Sequence, residues 1–468
     1  MSSILGGMFN LGSDKHERLK FWLLTLSFAF IIGSYTIAKE LKDSIFVSIV
    51  GKEYLPTAKL LVLFLLIPAA MLYSRIVDLF RRYQVLALYS LLYGILMAIF
   101  TVLLGHQSIG LYNMEAGSHR LFGWLFYFVL EGYSPFVVGV FWAYLNSVSS
   151  PDEAKNYYPI MVAGSKVGGI IAALFAWYLL DHTMSLDCFG CVNHDVLSHQ
   201  ILMGIVSALL LCVPVILFAL LRYVPGRYLH GYEAVYQMEK QHQKDDAKQG
   251  ATASVLSGVK LLLESPYILG IFGLVFFYET LNVVLNFQRI GILKDAATTI
   301  AGFTASMFWQ RFLMHFYGLL LSFFGLHFLL RKFGVRRCLF MVPFFVTGLL
   351  IFFLFTNSVD SILYVFLGLG AINYSVSYPL REALYIPATK DMKFKAKAWI
   401  DTFGTKFSKG FGSLFASVTN FLPVGGALLT SIYVGFFSVL MVMWFITSWL
   451  LGKKYEKAIR HNEIIGNE

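Results

Sequence analysis

Long apolar segments separated by short polar ones repeat from end to end of the 468-residue chain. A helix needs about 20 apolar residues to cross the hydrocarbon core of a bilayer. The pattern therefore predicts twelve membrane-spanning helices, at 21–48, 58–78, 84–104, 121–148, 157–180, 201–222, 258–285, 303–330, 338–356, 361–380, 397–421 and 426–450. These are called spans 1 to 12 here.

Composition agrees with this pattern, because 57% of the residues are hydrophobic and only 14% are charged. Soluble domains carry about 25% charged residues. The chain is therefore interpreted as an all-α, polytopic membrane protein, whose backbone polar groups are satisfied inside helices. We expect no cleavable signal peptide and no transit peptide, because the first apolar run is too long and no Ser/Arg-rich leader precedes it.

The net charge of +10 is attributed to loops on one membrane face rather than to nucleic-acid binding. Basic residues concentrate before span 1, in every second loop, and after span 12. The loops of the other parity carry few, mainly Arg120, Arg289 and Lys294. This distribution predicts both termini in the cytoplasm. The membrane is expected to be a bacterial inner membrane.

A polar stretch divides the predicted spans into two sets of six. The predicted domains are an N-terminal half at 1–222, a cytoplasmic linker at 223–257 and a C-terminal half at 258–468. Three motifs recur in the second half after a shift of about 250 residues. Two related six-helix halves are the layout of a major-facilitator-like transporter, with its substrate site at mid-membrane between them. The recurring pairs are Arg75–Arg82 with Arg331–Arg337, Lys42-Asp43 with Lys294-Asp295, and Gly164–Gly169 with Phe407–Gly412.

Span 1 contains four charged residues within five positions: Lys39, Glu40, Lys42 and Asp43. A Lys or Asp at the centre of a spanning helix costs about 2.5–3.5 kcal/mol. Charges kept at that depth face protein or a water-filled cavity and mark substrate pathways. The alternative is that the helix ends near Ala38 and the charges lie in a solvated loop.

Further candidate binding residues lie in or beside the later spans. Lysine ammonium groups are compact point charges that suit phosphate, so Lys166 and Lys409 are candidate anion ligands; the alternative is that both side chains extend to the interface. Trp142, Tyr144 and Tyr157 could stack on a purine, although aromatic residues are abundant throughout. The predicted substrate-binding set is Lys39, Lys42, Glu131, Asn146, Lys166, Glu279, Arg381, Lys397, Asp401 and Lys409.

Cys188 and Cys191 form a CxxC in a predicted outer loop, near His182, His194 and His199. A disulfide or two free thiols are expected there, and zinc is the alternative. The sequence shows no Walker motif, nucleophile elbow or dinucleotide motif. We therefore expect neither an ATP-driven pump nor an enzyme, and no cofactor or bound metal.

Several stretches resemble the ATP/ADP translocase family of obligate intracellular bacteria and plastids. They are Tyr35–Asp43, Pro151–Tyr158, Arg381–Pro387, Lys395–Asp401 and Phe407–Gly412, in the family's order. The resemblance extends over nearly the whole chain. It implies exchange of nucleotides, or proton-coupled import in some members.

By position, the resemblance assigns Lys42 to the family's functional span-1 lysine and places Glu131 within one residue of its span-4 glutamate. Lys397 and Lys409 match the two lysines of the C-terminal motif. The chain departs from the family in span 7, where Leu285 occupies the acidic position and Glu279 lies six residues earlier.

The leading hypothesis is a secondary transporter of nucleotides or related phosphorylated anions that works by alternating access. The alternatives are transport of another metabolite or a lipid, or a membrane sensor that has lost transport. The expected partners are an anionic small molecule and the lipid bilayer, with no nucleic acid, and the protein is expected to be a monomer.

Overall fold

A computed structural model describes residues 15–466, apart from 150, 183–192, 230–261, 325, 357, 390–391, 393–395, 423–425 and 462. The described residues are almost entirely helical. Their one isolated β-bridge joins Ala388 to Ile465 near the C-terminus. Cys188, Cys191 and most of the predicted linker lie outside the described residues.

The helices follow the predicted order of spans closely. The first six are α1 Lys15–Ile49, α2 Leu55–Leu79, α3 Arg82–Leu104, α4 Leu121–Val148, α5 Pro151–Asp181 and α6 His194–Tyr223. They are followed by α7 Pro266–Ala296, α8 Ile300–Phe324 and α9 Leu326–Thr356. The last three are α10 at 359–384, α11 at 397–421 and α12 Gly426–His461. By length and composition, seven of the described helices can cross a membrane. They are α1, α3, α4, α6, α7, α12 and the Lys332–Thr356 part of α9.

Three helices are interrupted by π-helical segments. In α4 the segment is Ser134–Val138. Helix α10 comprises Val359–Ile372, the π-helical Asn373–Ser377 and Tyr378–Leu384. Helix α11 comprises Lys397–Trp399, the π-helical Ile400–Gly404 and Thr405–Phe421. Such segments recur at functional sites in helical proteins.

The chain forms two compact units. The first contains residues 1–52, 64–245 and 297–309, and the second contains 53–63, 246–296 and 310–468. Within the first, α1 packs on α5 and α6, and α3 packs on α6. Within the second, α7 packs on α11 and α12, and α9 packs on α12. Two helices are divided between the units. Residues 55–63 of α2 belong to the second unit and the rest of α2 to the first, whereas residues 300–309 of α8 belong to the first unit and the rest of α8 to the second.

Glycines allow the closest helix packing in each unit. A Cβ atom on Gly168 of α5 would lie 2.7 Å from the carbonyl oxygen of Ala29 in α1. A Cβ atom on Gly412 of α11 would lie 2.8 Å from the carbonyl oxygen of Thr280 in α7. Both glycines belong to the recurring motif of spans 5 and 11, and small residues let helix backbones approach in membranes.

The predicted end of span 7 at residue 285 is wrong, because α7 continues to Ala296. Arg289, predicted to lie in an outer loop, is instead buried inside the helix with 1% exposure. Its guanidinium donates to Gln310 Oε1 at 3.3 Å and lies 4.0 Å from the ring centroid of Phe366. These contacts compensate the burial of the Arg289 guanidinium inside the helix.

The loop between α3 and α4 is organised by Arg120, which is 7% exposed. Its guanidinium donates to the carbonyl oxygens of Ile109, Gly110, Asn113 and Glu115 at 2.6–3.0 Å. A side chain with several donors in a fixed fork can satisfy a loop's carbonyl groups in this way. This basic residue therefore has a structural role in its loop.

Candidate functional site

Helix α1 continues without a break through the four charged residues of span 1. Glu40 is 1% exposed, and Lys42 and Asp43 are each 5% exposed. The alternative of a solvated loop after Ala38 is therefore wrong. The helix ends later, before Gly51, whose positive φ of 126° favours glycine.

Lys42 is the centre of a charged cluster in the first unit. Its Nζ atom lies 2.5 Å from Glu131 Oε2 in α4 and 3.1 Å from Asp43 Oδ1 in its own helix. The ammonium also lies 4.3 Å from the ring centroid of Tyr127. One cation thus meets two carboxylates and the face of an aromatic ring, which favours the charged form of a buried lysine.

The break in α4 lies immediately after Glu131. Because Pro135 has no N–H, the carbonyl group of Glu131, four residues earlier, loses its usual helical donor. The helix then passes through the π-helical segment before resuming at Gly139. Tyr127 lies one turn before Glu131, so both side chains project from the same face of α4 toward α1.

Tyrosines pack around the turns of α1 that precede Lys42. Tyr35 stacks on Tyr133 with ring centroids 5.6 Å apart, and Lys39 lies 5.9 Å from the ring centroid of Tyr35. The Tyr133 hydroxyl is hydrogen-bonded to Ser34 Oγ at 2.7 Å and donates to the Ile31 carbonyl at 3.0 Å. Lys39 therefore lies against an aromatic group, one helical turn from the Lys42 cluster.

The second unit contains a Lys–Glu pair between α11 and α7. Lys409 Nζ lies 3.7 Å from Glu279 Oε2, which is within ion-pair distance. The Lys409 side chain is 44% exposed and that of Glu279 is 16% exposed. The glutamate on α7 therefore faces Lys409 of the Phe407–Gly412 motif.

A second Lys–Glu pair of this unit joins α11 to α10. Lys397 Nζ lies 2.5 Å from Glu382 Oε2, and Lys397 also lies 5.6 Å from the ring centroid of Tyr385. The neighbouring Arg381 lies 5.3 Å from the ring centroid of Tyr378. Asp401 lies in the adjacent π-helical segment of α11 and is exposed. Helices α10 and α11, each interrupted by a π-helical segment, thus contain four of the predicted residues. They are Arg381, Lys397, Asp401 and Lys409.

Two predicted residues stand apart from these clusters. Lys166 is half-buried on α5 and takes part in none of the described ion pairs. The amide oxygen of Asn146 accepts a hydrogen bond from the Tyr158 hydroxyl at 2.8 Å. The aromatic residues near Asn146 pack within the first unit, since Tyr157 stacks on Phe21 at 3.8 Å and Trp142 contacts Phe28 edge-on at 5.2 Å.

Sequence reasoning missed several residues of these clusters. Tyr127 was detectable in principle, because it lies one turn from Glu131. Arg311 was not singled out, yet its guanidinium lies 5.3 Å from the Phe366 ring that also contacts Arg289. Only the packing of α7, α8 and α10 brings these two arginines to one ring.

The described residues contain no group of three or more metal-binding side chains. His199 is instead hydrogen-bonded to the Asp195 carbonyl at 2.6 Å and to Thr304 Oγ1 at 2.9 Å. The prediction for Cys188 and Cys191 falls outside the described residues and stays a prediction.

Three lysines thus share one arrangement, in which the ammonium group contacts a glutamate of another helix. They are Lys42 with Glu131, Lys409 with Glu279, and Lys397 with Glu382. Phosphate oxygens, like carboxylate oxygens, accept charge-assisted hydrogen bonds from an ammonium group.

Comparison with known proteins adds a family and relatives. A family model described as TLC ATP/ADP transporter matches residues 9–455. The chain is 23% identical to "ADP,ATP carrier protein 3" of Rickettsia bellii, covering 94% of this chain and 95% of that one. It is 25% identical to "ADP,ATP carrier protein 4" of Rickettsia felis, covering 96% and 94%.

Solved structures of transporters share the fold. A bacterial homologue of the iron transporter ferroportin aligns with a TM-score of 0.60 at 14% identity, covering 94% of this chain and 98% of that one. A nucleoside transporter aligns with a TM-score of 0.56 at 15% identity, covering 92% and 99%. At these identities the likeness shows the fold alone, which is all-α and major-facilitator-like.

Proposed function

Because this chain belongs to the TLC ATP/ADP transporter family, we propose that it carries nucleotides or closely related phosphorylated anions across a membrane by alternating access. The relatives named above are called ADP,ATP carriers. The observation that supports the proposal best is the set of three lysines, each paired with a glutamate of a neighbouring helix. The proposal involves no chemical change of the substrate.

In this proposal the lysines bind phosphate and the glutamates hold the lysines when phosphate leaves. Glu131 and Glu279 then alternate with the substrate as partners of Lys42 and Lys409. Such an exchange keeps each lysine paired with an anion whether or not substrate is bound, and an unpaired buried cation would cost several kcal/mol. Glu279 would replace the acidic group that Leu285 lacks.

Binding energy can shift a conformational equilibrium only if the ligand contacts the two states differently. A phosphate that releases Glu131 from Lys42 breaks a contact between α1 and α4, and release of Glu279 breaks one between α7 and α11. Substrate binding would therefore loosen one helix–helix contact in each unit, which gives occupancy a route to affect conformation.

The location proposed for the protein is a bacterial inner membrane, with both termini in the cytoplasm. There it would exchange its substrate with the cytoplasmic nucleotides. A monomer is proposed, since each unit contains its own lysine–glutamate pairs. Basic loops on one face support this orientation.

The test is uptake of radiolabelled ATP into proteoliposomes that contain the purified protein and are loaded with ADP. We expect uptake that depends on internal ADP and is inhibited by external ATP and ADP. Lys409→Gln should lower uptake at least about tenfold, since a hydrogen bond to a charged group contributes about 1.5–3 kcal/mol.

The matched control is Lys52→Gln, which removes an exposed lysine outside the clusters. It should leave uptake unchanged. Wild-type proteoliposomes that take up no nucleotide under any gradient, while the protein elutes as a folded species, would contradict the proposal. Uptake of labelled inorganic phosphate without uptake of labelled ATP would also contradict it, because the substrate would then be a smaller anion.

A further inference from the structure

A cleft in the second unit lies outside all of these clusters. It has a volume of about 880 Å³ and lies between one end of α9 and one end of α12. Its volume is within the range of about 300–1,000 Å³ that is typical of small-molecule sites. Of the described residues that line it, one set is basic and the other is apolar or aromatic.

The basic set contains Arg336, Arg337 and Arg460, with Glu456 among them. Arg336 Nη1 donates to Glu456 Oε2 at 2.7 Å, and Arg460 Nη2 lies 2.5 Å from Glu456 Oε1. The hydrogen bond from Arg336 holds the pKa of the Glu456 carboxyl below its usual value, so this carboxylate stays ionised at neutral pH. Two guanidinium groups therefore meet one carboxylate, and with Arg337 also lining it the cleft keeps an excess of positive charge.

The backbone adds to this charge. Gly334, with φ of 72° and ψ of 168°, interrupts α9, and the helix resumes just before Arg336. The first turn of a helix carries unsatisfied N–H groups and a partial positive charge. Arg336 packs closely on α12, because a Cβ atom on Gly452 would lie 2.8 Å from its Cγ atom.

The apolar set continues the cleft toward the membrane-spanning part of the two helices. Phe340 is 44% exposed and Trp449 is 48% exposed. Lys453 lies 5.5 Å from the ring centroid of Trp449. Tryptophan beside lysine is typical of the boundary between hydrocarbon and headgroups. The cleft therefore presents cations at the polar end of two antiparallel helices and exposed rings at the adjoining apolar end.

We propose that this cleft binds the phosphate headgroup of an anionic phospholipid, with the first part of its acyl chains on Phe340 and Trp449. Charge and polarity both match this ligand, and basic pockets between spanning helices on the cytoplasmic side are known to bind anionic headgroups. The cleft lies on the face that the basic loops predict to be cytoplasmic, where anionic lipids attract basic residues. A free phosphate would satisfy the guanidinium groups but would leave the exposed rings uncovered.

The test is native mass spectrometry of the full-length protein in detergent, titrated with dioleoylphosphatidylglycerol or dioleoylphosphatidylcholine. The wild type should bind phosphatidylglycerol in preference. The double variant Arg337→Gln/Arg460→Gln should weaken that binding at least about tenfold, because it removes two charged hydrogen-bond donors to the headgroup. Both side chains are exposed, so the variant should remain folded; unchanged elution and circular dichroism would verify this.

The matched control is Arg81→Gln/Arg222→Gln, which removes two exposed arginines on the same predicted membrane face. It should bind phosphatidylglycerol as the wild type does. Trp449→Ser should weaken the binding of phosphatidylglycerol but should leave the binding of inorganic phosphate unchanged. Equal affinity of both double variants, or no preference for phosphatidylglycerol over phosphatidylcholine, would overturn the proposal. Displacement of the lipid by inorganic phosphate at equal concentration would also overturn it, since the ligand would then be a free anion.

Discussion

At the scale of single residues, Lys42 illustrates how a charge is kept inside a membrane helix. The side chain is 7% exposed, and its ammonium contacts two carboxylates and an aromatic ring. Removing one partner of a buried ion pair leaves the other uncompensated, at a cost of about 3–5 kcal/mol. The pair is therefore both a stabilising contact in the folded protein and a candidate substrate site.

These two roles can be separated by variants. Lys42→Gln should lower nucleotide uptake at least about tenfold and should also lower the melting temperature in detergent, because Asp43 and Glu131 lose their cation. The double variant Lys42→Gln/Glu131→Gln should recover part of the melting temperature while uptake stays low. Recovery of uptake in the double variant would show that the pair matters only for stability.

Arg289 is a buried charge with a different expected role. Its guanidinium contacts the Phe366 ring and Gln310 inside the second unit. A desolvated cation–π contact is worth about 2 kcal/mol, so Arg289→Met should lower the free energy of unfolding by roughly that amount. Arg222→Met, at the exposed end of α6, is the control and should have little effect. Loss of uptake by Arg289→Met without any loss of stability would instead place Arg289 in the substrate pathway.

At the scale of helices, each of the two units contains a helix interrupted by a π-helical segment near a proline. Helices α4 and α10 each contain a π-helical segment close to a proline, Pro135 and Pro379 respectively. Each of these segments lies next to a glutamate that contacts a lysine of another helix, Glu131 or Glu382. A broken helix exposes backbone polar groups, so it is tolerated in a membrane only where protein or a cavity satisfies them.

Glycine contacts between helices give a sharp prediction. Gly412→Ala should destabilise the protein by about 1–3 kcal/mol, the usual cost of overpacking, because its Cβ atom would meet the Thr280 carbonyl oxygen at 2.8 Å. Gly435→Ala in α12 is the control, since nothing lies within 4 Å of its Cβ position. Because alanine has a higher helix propensity than glycine, Gly435→Ala should raise the free energy of unfolding by roughly 0.5–1 kcal/mol. Thermal unfolding in detergent measures both, and equal shifts would argue against the close α7–α11 contact.

At the scale of the whole molecule, the distribution of basic loops predicts the topology. In a variant without the four native cysteines, Ser108→Cys should react with a membrane-impermeant maleimide in intact cells. Lys454→Cys should react only after the membrane is permeabilised. Both positions are exposed, so a lack of access would reflect the side of the membrane. Reaction of both residues from outside would overturn an orientation with both termini in the cytoplasm.

The sequence by itself determined the class of the protein, because hydrophobicity and chain length alone decide which segments can span a bilayer. It also indicated the family and brought Lys42, Glu131, Lys397 and Lys409 to attention, since charges are too costly at membrane depth to occur without a reason. The end of α7 was missed because Asn286, Gln288 and Arg289 place three polar residues within four positions, and polarity normally signals a loop.

Only the tertiary structure decided which charges are partners. Lys42 and Glu131 are 89 residues apart in sequence, and their contact depends on how α1 packs on α4. The same holds for Lys409 with Glu279 and for the two arginines that share Phe366. Ion pairing depends on distances of a few ångströms between side chains of different helices, and no local pattern in the chain encodes those distances.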